Sequence, residues 1–238
     1  MKGASQVVTI ADSIRESRLL RSGGFATFEW PANRSFMRDL RLESAGALRG
    51  ARLCFAASSD GTEGRGGNPA RCYLQASGGQ AQDVLYLAAE VAGWLTELCG
   101  APVTPTGERG TYSYYVRQGD YLALHRDVEA CDVAVITCVY ESALNAGGVL
   151  CVYPDRIHEP LSAIRDAPER GMVPVPLRPG QTVVMLGGIV PHHVLPMAQG
   201  QVRIVSVLCY RALAELPHGN PCRAAYPRKE RLEFCSGP

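Results

Sequence analysis

The pattern of apolar and polar positions changes near residue 111. Before that point, residues 35–48 and 82–99 place apolar side chains three and four positions apart, which predicts two helices. After it, short runs rich in Val, Ile, Leu, Tyr and Thr stand between turns that contain Gly, Pro, Asn or Asp. Roughly seven or eight such runs predict strands: TYSYYVR, DYLALHRD, VAVITCVYE, GVLCVYP, MVPVPLR, QTVVMLG, HHVLPM and VRIVSVLCYRA.

These elements favour a mainly β fold with flanking helices. Because helices do not alternate with the later strands, we expect a double-stranded β-helix, the cupin-like jelly roll, rather than a parallel α/β sheet. We predict one domain over residues 1–238, with a mostly helical support region at 1–110, a jelly-roll core at 111–212 and a C-terminal tail at 213–238. Residues 56–70, rich in Gly, Ser and charge, predict a mobile loop, and residues 58–69 are a candidate lid.

Composition excludes some classes of partner. The 24 basic and 23 acidic side chains almost cancel, and no run of like charge predicts binding to nucleic acid or to a membrane surface. No apolar stretch approaches the roughly 18 to 20 residues that span a bilayer, and the first 20 residues carry charges where a signal peptide is apolar. We therefore expect a cytoplasmic protein. The nine cysteines lack a CxxC pair and predict buried, reduced thiols rather than a zinc cluster or a disulfide framework.

The end of the run DYLALHRD offers two metal ligands. On a strand, successive side chains point to opposite faces, so His125 and Asp127 share one face and Arg126 points to the other. A His-x-Asp pair also arises by chance at exposed strand ends. It indicates a metal site only together with further ligands.

A second motif follows about 65 residues later, where a histidine begins a strand and an arginine, Arg203, follows in the next strand. Two histidines and one carboxylate on one side of a metal form the facial triad of non-haem iron(II) oxygenases, which leaves three metal positions open. The guanidinium of an arginine binds a carboxylate through two parallel hydrogen bonds. Together these residues suggest a metal-chelating dicarboxylic acid as a co-substrate.

From about Tyr114 to Arg211 the sequence resembles the iron(II)/2-oxoglutarate-dependent dioxygenases, in particular the prolyl 4-hydroxylase-like branch. Four pieces occur in the family's order: YYVRQGDYLALHRD, GGVLCVYP, LRPGQTVVMLGG and HHVLPMAQGQVR. The resemblance implies a 2-oxoglutarate-dependent dioxygenase (hydroxylase) with His125, Asp127 and His192 as its catalytic metal ligands. It also implies iron(II), 2-oxoglutarate and dioxygen as cofactor and co-substrates, with ascorbate as a possible stimulant.

The same resemblance assigns the co-substrate site. It implies that Arg203 binds the far carboxylate of 2-oxoglutarate, with Tyr121 and Tyr115 as weaker candidates for a phenol that donates to this carboxylate. Tyr121 is the better of the two because its position has the same parity as His125 on the predicted strand. A tyrosine in a strand is more often a packing residue than a ligand.

The distal histidine has two candidates. The family's x-Val-x-Pro continuation selects His192, whereas a spacing of ten residues to the arginine selects His193. Neighbouring residues on a strand face opposite ways, so only one of them can bind the metal. We favour His192, because a hairpin bulge absorbs one extra residue more easily than a ligand strand changes its register.

The sequence leaves the substrate open. The family's reaction releases succinate and CO2 and hydroxylates an unactivated C–H, and we expect this C–H to belong to a small molecule or an amino-acid-derived metabolite. A hydroxylase of protein or peptide side chains is the alternative within enzymes. A catalytically silent jelly-roll (cupin-like) ligand-binding module is the alternative of another class, and the combination of two His, one Asp and one Arg argues against it.

Overall fold

A computed structural model of the chain describes residues 17–29, 34–108, 110–144 and 147–212. The helices are α1 (Arg18–Arg21), α2 (Arg34–Ala47), α3 (Gln80–Tyr86), α4 (Ala89–Cys99) and α5 (Leu161–Asp166), with 3-10 turns at Leu48–Gly50 and Pro154–Arg156. The strands are β1 (Phe25–Glu29), β2 (Arg52–Ala56), β3 (Arg71–Ser77), β4 (Val103–Pro105), β5 (Thr111–Tyr115), β6 (Tyr121–His125), β7 (Val133–Glu141), β8 (Leu150–Val152), β9 (Val173–Val175), β10 (Gln181–Met185), β11 (His192–Val194) and β12 (Arg203–Ala212).

One curled antiparallel sheet contains these strands, in the order β1-β10-β7-β12-β5-β3-β6-β11-β8-β9. Strand β3 joins the two halves, since it pairs with β5 through residues 74–77 and with β6 through residues 71–72. Strand β2 pairs with β3, and β4 pairs with β12. The mainly antiparallel β architecture predicted from the sequence is therefore confirmed, and a strand lies within each of the eight runs that predicted one.

The region before residue 111 differs from its prediction as mostly helical support. It contains the predicted helices but also the four strands β1 to β4, all of which join the sheet. These strands are short and lack the dense Val and Ile runs of the later ones. Strands β1, β3 and β4 pair with strands far away in the chain, so the local pattern carried little signal for them. The single-domain assignment stays a prediction, and the tail at 213–238 lies outside the described residues.

The predicted helix at 82–99 is divided into α3 and α4 at Leu87 and Ala88. Tyr86 and Leu95 are both buried, at 3% and 0% exposure. They lie nine positions apart, which in one continuous helix of 3.6 residues per turn would place them on opposite sides. The break lets both side chains reach the core.

Helix α2 covers one outer face of the sheet. Its Leu40 is fully buried in a cluster with Tyr112, Tyr114 and Val139. Its Glu43 accepts hydrogen bonds from three backbone N–H groups at the start of α3 and from the Tyr112 hydroxyl. Burial opposes ionisation of Glu43, but these donors outweigh it and lower its pKa. The two helices are thus joined through a carboxylate that caps α3.

The prediction that all cysteines are reduced was wrong for two of them. Cys131 and Cys209 form a disulfide across 78 positions of sequence, whereas Cys54, Cys72, Cys99, Cys138 and Cys151 are not disulfide-bonded. The two bonded residues belong to a turn and to β12, which only the folded sheet brings together. Within the described ranges, no helix has the length and apolar character needed to cross a membrane.

Candidate metal centre

Strands β6 and β11 bring two histidines together. His125, the last residue of β6, is in register with His192, the first residue of β11, and their ring centroids lie 4.2 Å apart. Asp127 follows directly after β6, and its Oδ1 lies 3.5 Å from the Nε2 atom of each ring. One ligand atom from each residue lies within 4.8 Å of the other two. The structure thus assembles the three residues that the sequence proposed as a triad.

Backbone carbonyls orient both imidazoles. Nδ1 of His125 lies 2.9 Å from the Ala123 carbonyl, and Nδ1 of His192 lies 2.9 Å from the Val190 carbonyl. A carbonyl can only accept, so each Nδ1 carries the proton and donates it. Each Nε2 therefore faces Asp127 and is the ring nitrogen that a metal could use. This is the usual arrangement of metal-binding histidines, whose second nitrogen donates to a fixed acceptor.

The electrostatics of the three groups match a metal-binding role. Burial would raise the pKa of Asp127, but the two imidazoles outweigh it and hold this pKa below its usual range. Burial and the neighbouring His192 lower the pKa of His125. Burial opposes protonation of His192, yet Asp127 outweighs it and raises the pKa of this histidine. An ionised carboxylate and neutral imidazoles are the forms that bind a divalent transition metal, and a metal ion would take the place of the proton that His192 favours.

The backbone around Asp127 is tightly built. Its N–H donates to the Gly187 carbonyl at 2.9 Å. A Cβ atom at Gly187 would collide with Oδ2 of Asp127, so only glycine leaves room for the carboxylate in this position. A Cβ atom at Gly188 would in turn collide with the guanidinium of Arg65. Both glycines in the sequence LGGIV, ahead of the histidine pair, therefore have a steric role in the site.

The neighbouring His193 points to the opposite face of β11. Its ring packs on Tyr153, with the ring centroids 5.6 Å apart. Burial and the nearby His192 and His125 lower the pKa of His193 to about 4. Of the two candidates for the distal ligand, the structure places His192 beside Asp127 and places His193 in a separate recess.

The shared face predicted for Tyr121 and His125 was wrong. On β11, residues 192 and 194 are two positions apart, whereas their partners on β6, His125 and Leu122, are three apart. The extra residue is a β-bulge, which reverses the alternation of faces along β6. Leu122 consequently shares the cavity with His125, and Tyr121 lines the recess that contains His193. Tyr121 is therefore not among the residues that line the cavity of the triad.

The triad lies in a cavity of about 310 Å³ between the two halves of the sheet. Arg203 and Tyr115 line the same cavity and are in register with each other on β12 and β5. Arg203 is 3% exposed. Its Nη1 donates to the Gly148 carbonyl, and its Nε lies 4.0 Å from Oε2 of Glu141. The guanidinium therefore has a fixed position in the cavity wall.

Tyr115 stands beside this arginine as a protonated phenol. It is almost fully buried, and its ring stacks on Tyr73 with the centroids 5.1 Å apart. Burial, followed by the effect of Tyr73, raises the pKa of Tyr115, and Arg203 opposes the shift without reversing it. Tyr115 can thus act as a hydrogen-bond donor in the cavity.

Two further arginines, which sequence reasoning did not identify, hold the loops around the triad. Arg126 is 8% exposed, and its guanidinium donates to the carbonyls of Ile189, Ile157 and Glu159. Arg65, from the Gly-rich segment predicted as a mobile loop, donates to the carbonyls of Asp127, Val128 and Cys131 and to the carboxylate of Asp132. The segment has no regular secondary structure, but it is bonded directly to the turn after Asp127.

No protein-family model matches the chain, and no curated protein matches it in sequence. Its fold, in contrast, is similar to solved structures. A prolyl-4-hydroxylase from Pseudomonas putida is 20% identical, with a TM-score of 0.54 over 87% of this chain and 100% of the other. EctD from S. alaskensis, solved with 2-oxoglutarate and 5-hydroxyectoine, is 16% identical, with a TM-score of 0.57 over 89% and 79%.

A third similar structure is the non-heme alpha ketoglutarate dependent epimerase SnoN from nogalamycin biosynthesis. It is 14% identical, with a TM-score of 0.59 over 82% of this chain and 80% of the other. The first of these proteins is named a hydroxylase, the second was solved with 2-oxoglutarate, and the third is named an epimerase. What this chain shares with all three is the fold. These likenesses confirm the jelly-roll fold, which this chain shares with 2-oxoglutarate and iron(II) oxygenases.

Proposed function

We propose that this chain is an iron(II)- and 2-oxoglutarate-dependent oxygenase that hydroxylates an unactivated C–H of a small molecule or an amino-acid-derived metabolite. One observation carries the proposal. His125, Asp127 and His192 converge at one end of a cavity with both Nδ1 atoms anchored on carbonyls, and a buried arginine lines the same cavity. Two neutral nitrogens and one carboxylate oxygen on one side of a metal suit iron(II) and leave room for other ligands.

The roles of the triad follow from its contacts. His125, Asp127 and His192 would hold the metal, which supplies the redox chemistry of dioxygen and the 2-oxo acid once bound. The carbonyls of Ala123 and Val190 keep both Nε2 lone pairs directed at the metal position. Arg65 holds the turn that follows Asp127, and Arg126 holds the loop that precedes His192.

The second role is recognition of the co-substrate. Arg203 would bind the far carboxylate of 2-oxoglutarate through its planar guanidinium, and Tyr115 would donate its phenolic proton to the same group. Glu141 and Gly148 fix the arginine from one side. A rigid guanidinium in a buried position binds a carboxylate with little loss of side-chain entropy.

Two alternatives remain to be tested: a catalytically silent ligand-binding module and a hydroxylase of protein or peptide side chains. The binding module is excluded if succinate is released from 2-oxoglutarate in the presence of iron(II) and air. The side-chain hydroxylase is favoured only if peptides, and not free metabolites, stimulate that release. Screening both classes with the same purified protein therefore discriminates among all three functions.

The decisive experiment compares two adjacent histidines. Anaerobic protein is loaded with iron(II) and 2-oxoglutarate, and iron stoichiometry and the visible charge-transfer band of the chelate are measured for wild type, His192→Ala and His193→Ala. We expect His192→Ala to lose most iron and the band, because it removes a ligand. His193→Ala should keep both, since its ring lies on the other face of β11 against Tyr153.

The reverse pattern would assign the distal ligand to His193. Full iron and an undiminished band in both variants would contradict a metal site at this strand. His125→Ala and Asp127→Ala extend the test to the other two positions, and each should behave as His192→Ala does.

A further inference from the structure

Arg71 lies in the wall of the metal cavity and has no part in the function proposed so far. It is the first residue of β3, in register with Leu122 of β6, and both side chains line the cavity. The segment just before it, residues 66–69, runs along the turn after His125, where the N–H of Gly66 donates to the Arg126 carbonyl at 3.2 Å. Arg71 is therefore close to the triad on the side of the Gly-rich loop.

The charge of Arg71 is unpaired within the described part of the chain. Its guanidinium makes one hydrogen bond there, from Nη1 to the Pro69 carbonyl at 3.2 Å, and it has no ion pair with a carboxylate. The other two arginines that line the cavity are engaged differently. Arg126 is bonded to loop carbonyls, and Arg203 faces Glu141 and the Gly148 carbonyl. Arg71 alone of the three is half-buried, and its guanidinium has a single carbonyl as its partner among the described residues.

We infer that Arg71 binds a carboxylate of the primary substrate, so that the substrate is a small carboxylic acid. This inference rests on the proposed function. The two charges of 2-oxoglutarate would balance those of the metal. The single charges of Asp127 and Glu141 together balance those of Arg126 and Arg203. One guanidinium facing the cavity remains, and its planar fork matches the two oxygens of one carboxylate. A phosphate ester would bring about −1.5 to −2 charges and leave part of them unbalanced.

The register sets the size of the substrate. Leu122, opposite Arg71, is three positions from His125 on a strand that rises about 3.3 Å per residue, which gives roughly 7 to 10 Å along the strand. The arginine side chain covers part of that span. A carboxylate on Arg71 would thus place a carbon a few bonds away at the metal. Leu122, Val128 and Val194 also line the cavity, and their apolar side chains suit an aliphatic carbon chain.

The test measures binding without turnover. Anaerobic full-length protein loaded with iron(II) and 2-oxoglutarate is titrated by calorimetry with the L-amino acids and a series of aliphatic monocarboxylic acids, each beside its primary amide. The variants are Arg71→Gln, which keeps a polar side chain without charge, Arg71→Lys, which keeps the charge without the planar fork, and Arg178→Gln, a control at an exposed position outside the cavity. Unfolding midpoints and the affinities for iron(II) and 2-oxoglutarate are recorded for all of them.

We expect at least one acid to bind wild type at least tenfold more tightly than its amide. Arg71→Gln should remove this preference, Arg71→Lys should restore part of it, and Arg178→Gln should match wild type. Affinities for iron(II) and 2-oxoglutarate should stay unchanged in Arg71→Gln, which separates this role from that of Arg203. A preference of this size that disappears only in the Arg71 variants supports the inference.

Three results would overturn it. No acid in the panel binds more tightly than its amide, or the preference survives in Arg71→Gln, or a phosphonate analogue of the best acid binds more tightly than the acid itself. If one of these results is obtained while wild type still binds iron(II) and 2-oxoglutarate, only the inference about Arg71 fails, and the proposed function is not contradicted. Wild type that binds neither shows instead that the proposed function fails, and the inference fails with it.

Discussion

Replacing Arg65 with alanine should both destabilise the protein and weaken metal binding. This side chain connects the Gly-rich loop to the turn that follows Asp127, a candidate metal ligand. Its Nη1 lies 2.7 Å from Oδ1 of Asp132, and Nη2 donates to the carbonyls of Val128 at 2.8 Å and Cys131 at 3.1 Å. Truncation removes all of these contacts at once.

The size of the effect follows from the burial of the pair. The side chains of Arg65 and Asp132 are 16% and 9% exposed, so water reaches the remaining carboxylate only in part. Removing one partner of a fully buried ion pair costs about 3 to 5 kcal/mol. Because Asp132 retains the backbone N–H of Ala212 at 2.9 Å as a donor, we expect a somewhat smaller loss, about 2 to 4 kcal/mol in the free energy of unfolding.

Metal affinity should fall as well, because the Asp127 carbonyl loses its donor at 3.4 Å and the ligand loop loosens. Loss of a residue that supports a metal ligand typically weakens metal binding about 10- to 100-fold. Urea unfolding followed by circular dichroism gives the first quantity, and iron(II) titration under nitrogen gives the second. Arg65→Lys, which keeps the charge but cannot donate to four acceptors together, should be intermediate in both.

Arg38→Ala is the matched control. Its ion pair with Asp39 has a separation of 3.3 Å, but the two side chains are 71% and 50% exposed. Such a surface pair contributes at most about 0.5 to 1 kcal/mol. The reasoning is refuted if Arg65→Ala unfolds at the urea concentration of wild type, or if the two arginine variants lose equal stability.

Three further predictions concern the site and its surroundings. Arg203→Ala should weaken 2-oxoglutarate binding tenfold to several thousandfold, corresponding to about 2 to 5 kcal/mol, while iron(II) binding measured by dialysis is unchanged. If the variant binds 2-oxoglutarate as tightly as wild type does, another residue binds the far carboxylate. Replacing Cys131 and Cys209 together with serine should lower the free energy of unfolding by about 2 to 4 kcal/mol, and dithiothreitol should have the same effect on wild type. If the stability of wild type does not change with the reductant, the two thiols are not bonded in solution. Iron(II) affinity should decline as the pH falls through the pKa of His192. Burial opposes protonation of this histidine, but Asp127 outweighs burial and raises the pKa above its usual 6.5, and a protonated imidazole cannot bind metal. Calorimetry across that range should also show proton release on iron(II) binding, and an iron(II) affinity that does not change with pH would contradict this prediction.

The eight strands after residue 110 could be predicted because each is a local pattern of β-branched and aromatic residues between turns. The strands before it could not, since β1 and β3 depend on partners far along the chain. The candidate triad was recognisable from the His-x-Asp pair only together with the later histidine and arginine and the family resemblance of the segments around them. The face predicted for Tyr121 was wrong because a bulge between Leu122 and His125 interrupts the alternation of side chains along β6. The local sequence pattern did not predict this bulge.

The sequence by itself determined the strands of the core and offered His125, Asp127, a histidine at 192 or 193 and Arg203 as candidate site residues. The strands follow from interactions between neighbours in the chain, which give the periodic pattern, and the candidate site residues follow from motif spacing and the family resemblance. Only the tertiary structure decided which of two adjacent histidines faces Asp127, that Cys131 and Cys209 are bonded, and that Arg65 supports the ligand turn. Each of these depends on the register between strands or on a loop crossing another segment. Strand register and loop crossings arise from the packing of distant segments. A shift of one residue in the register moves a side chain to the other face of the sheet.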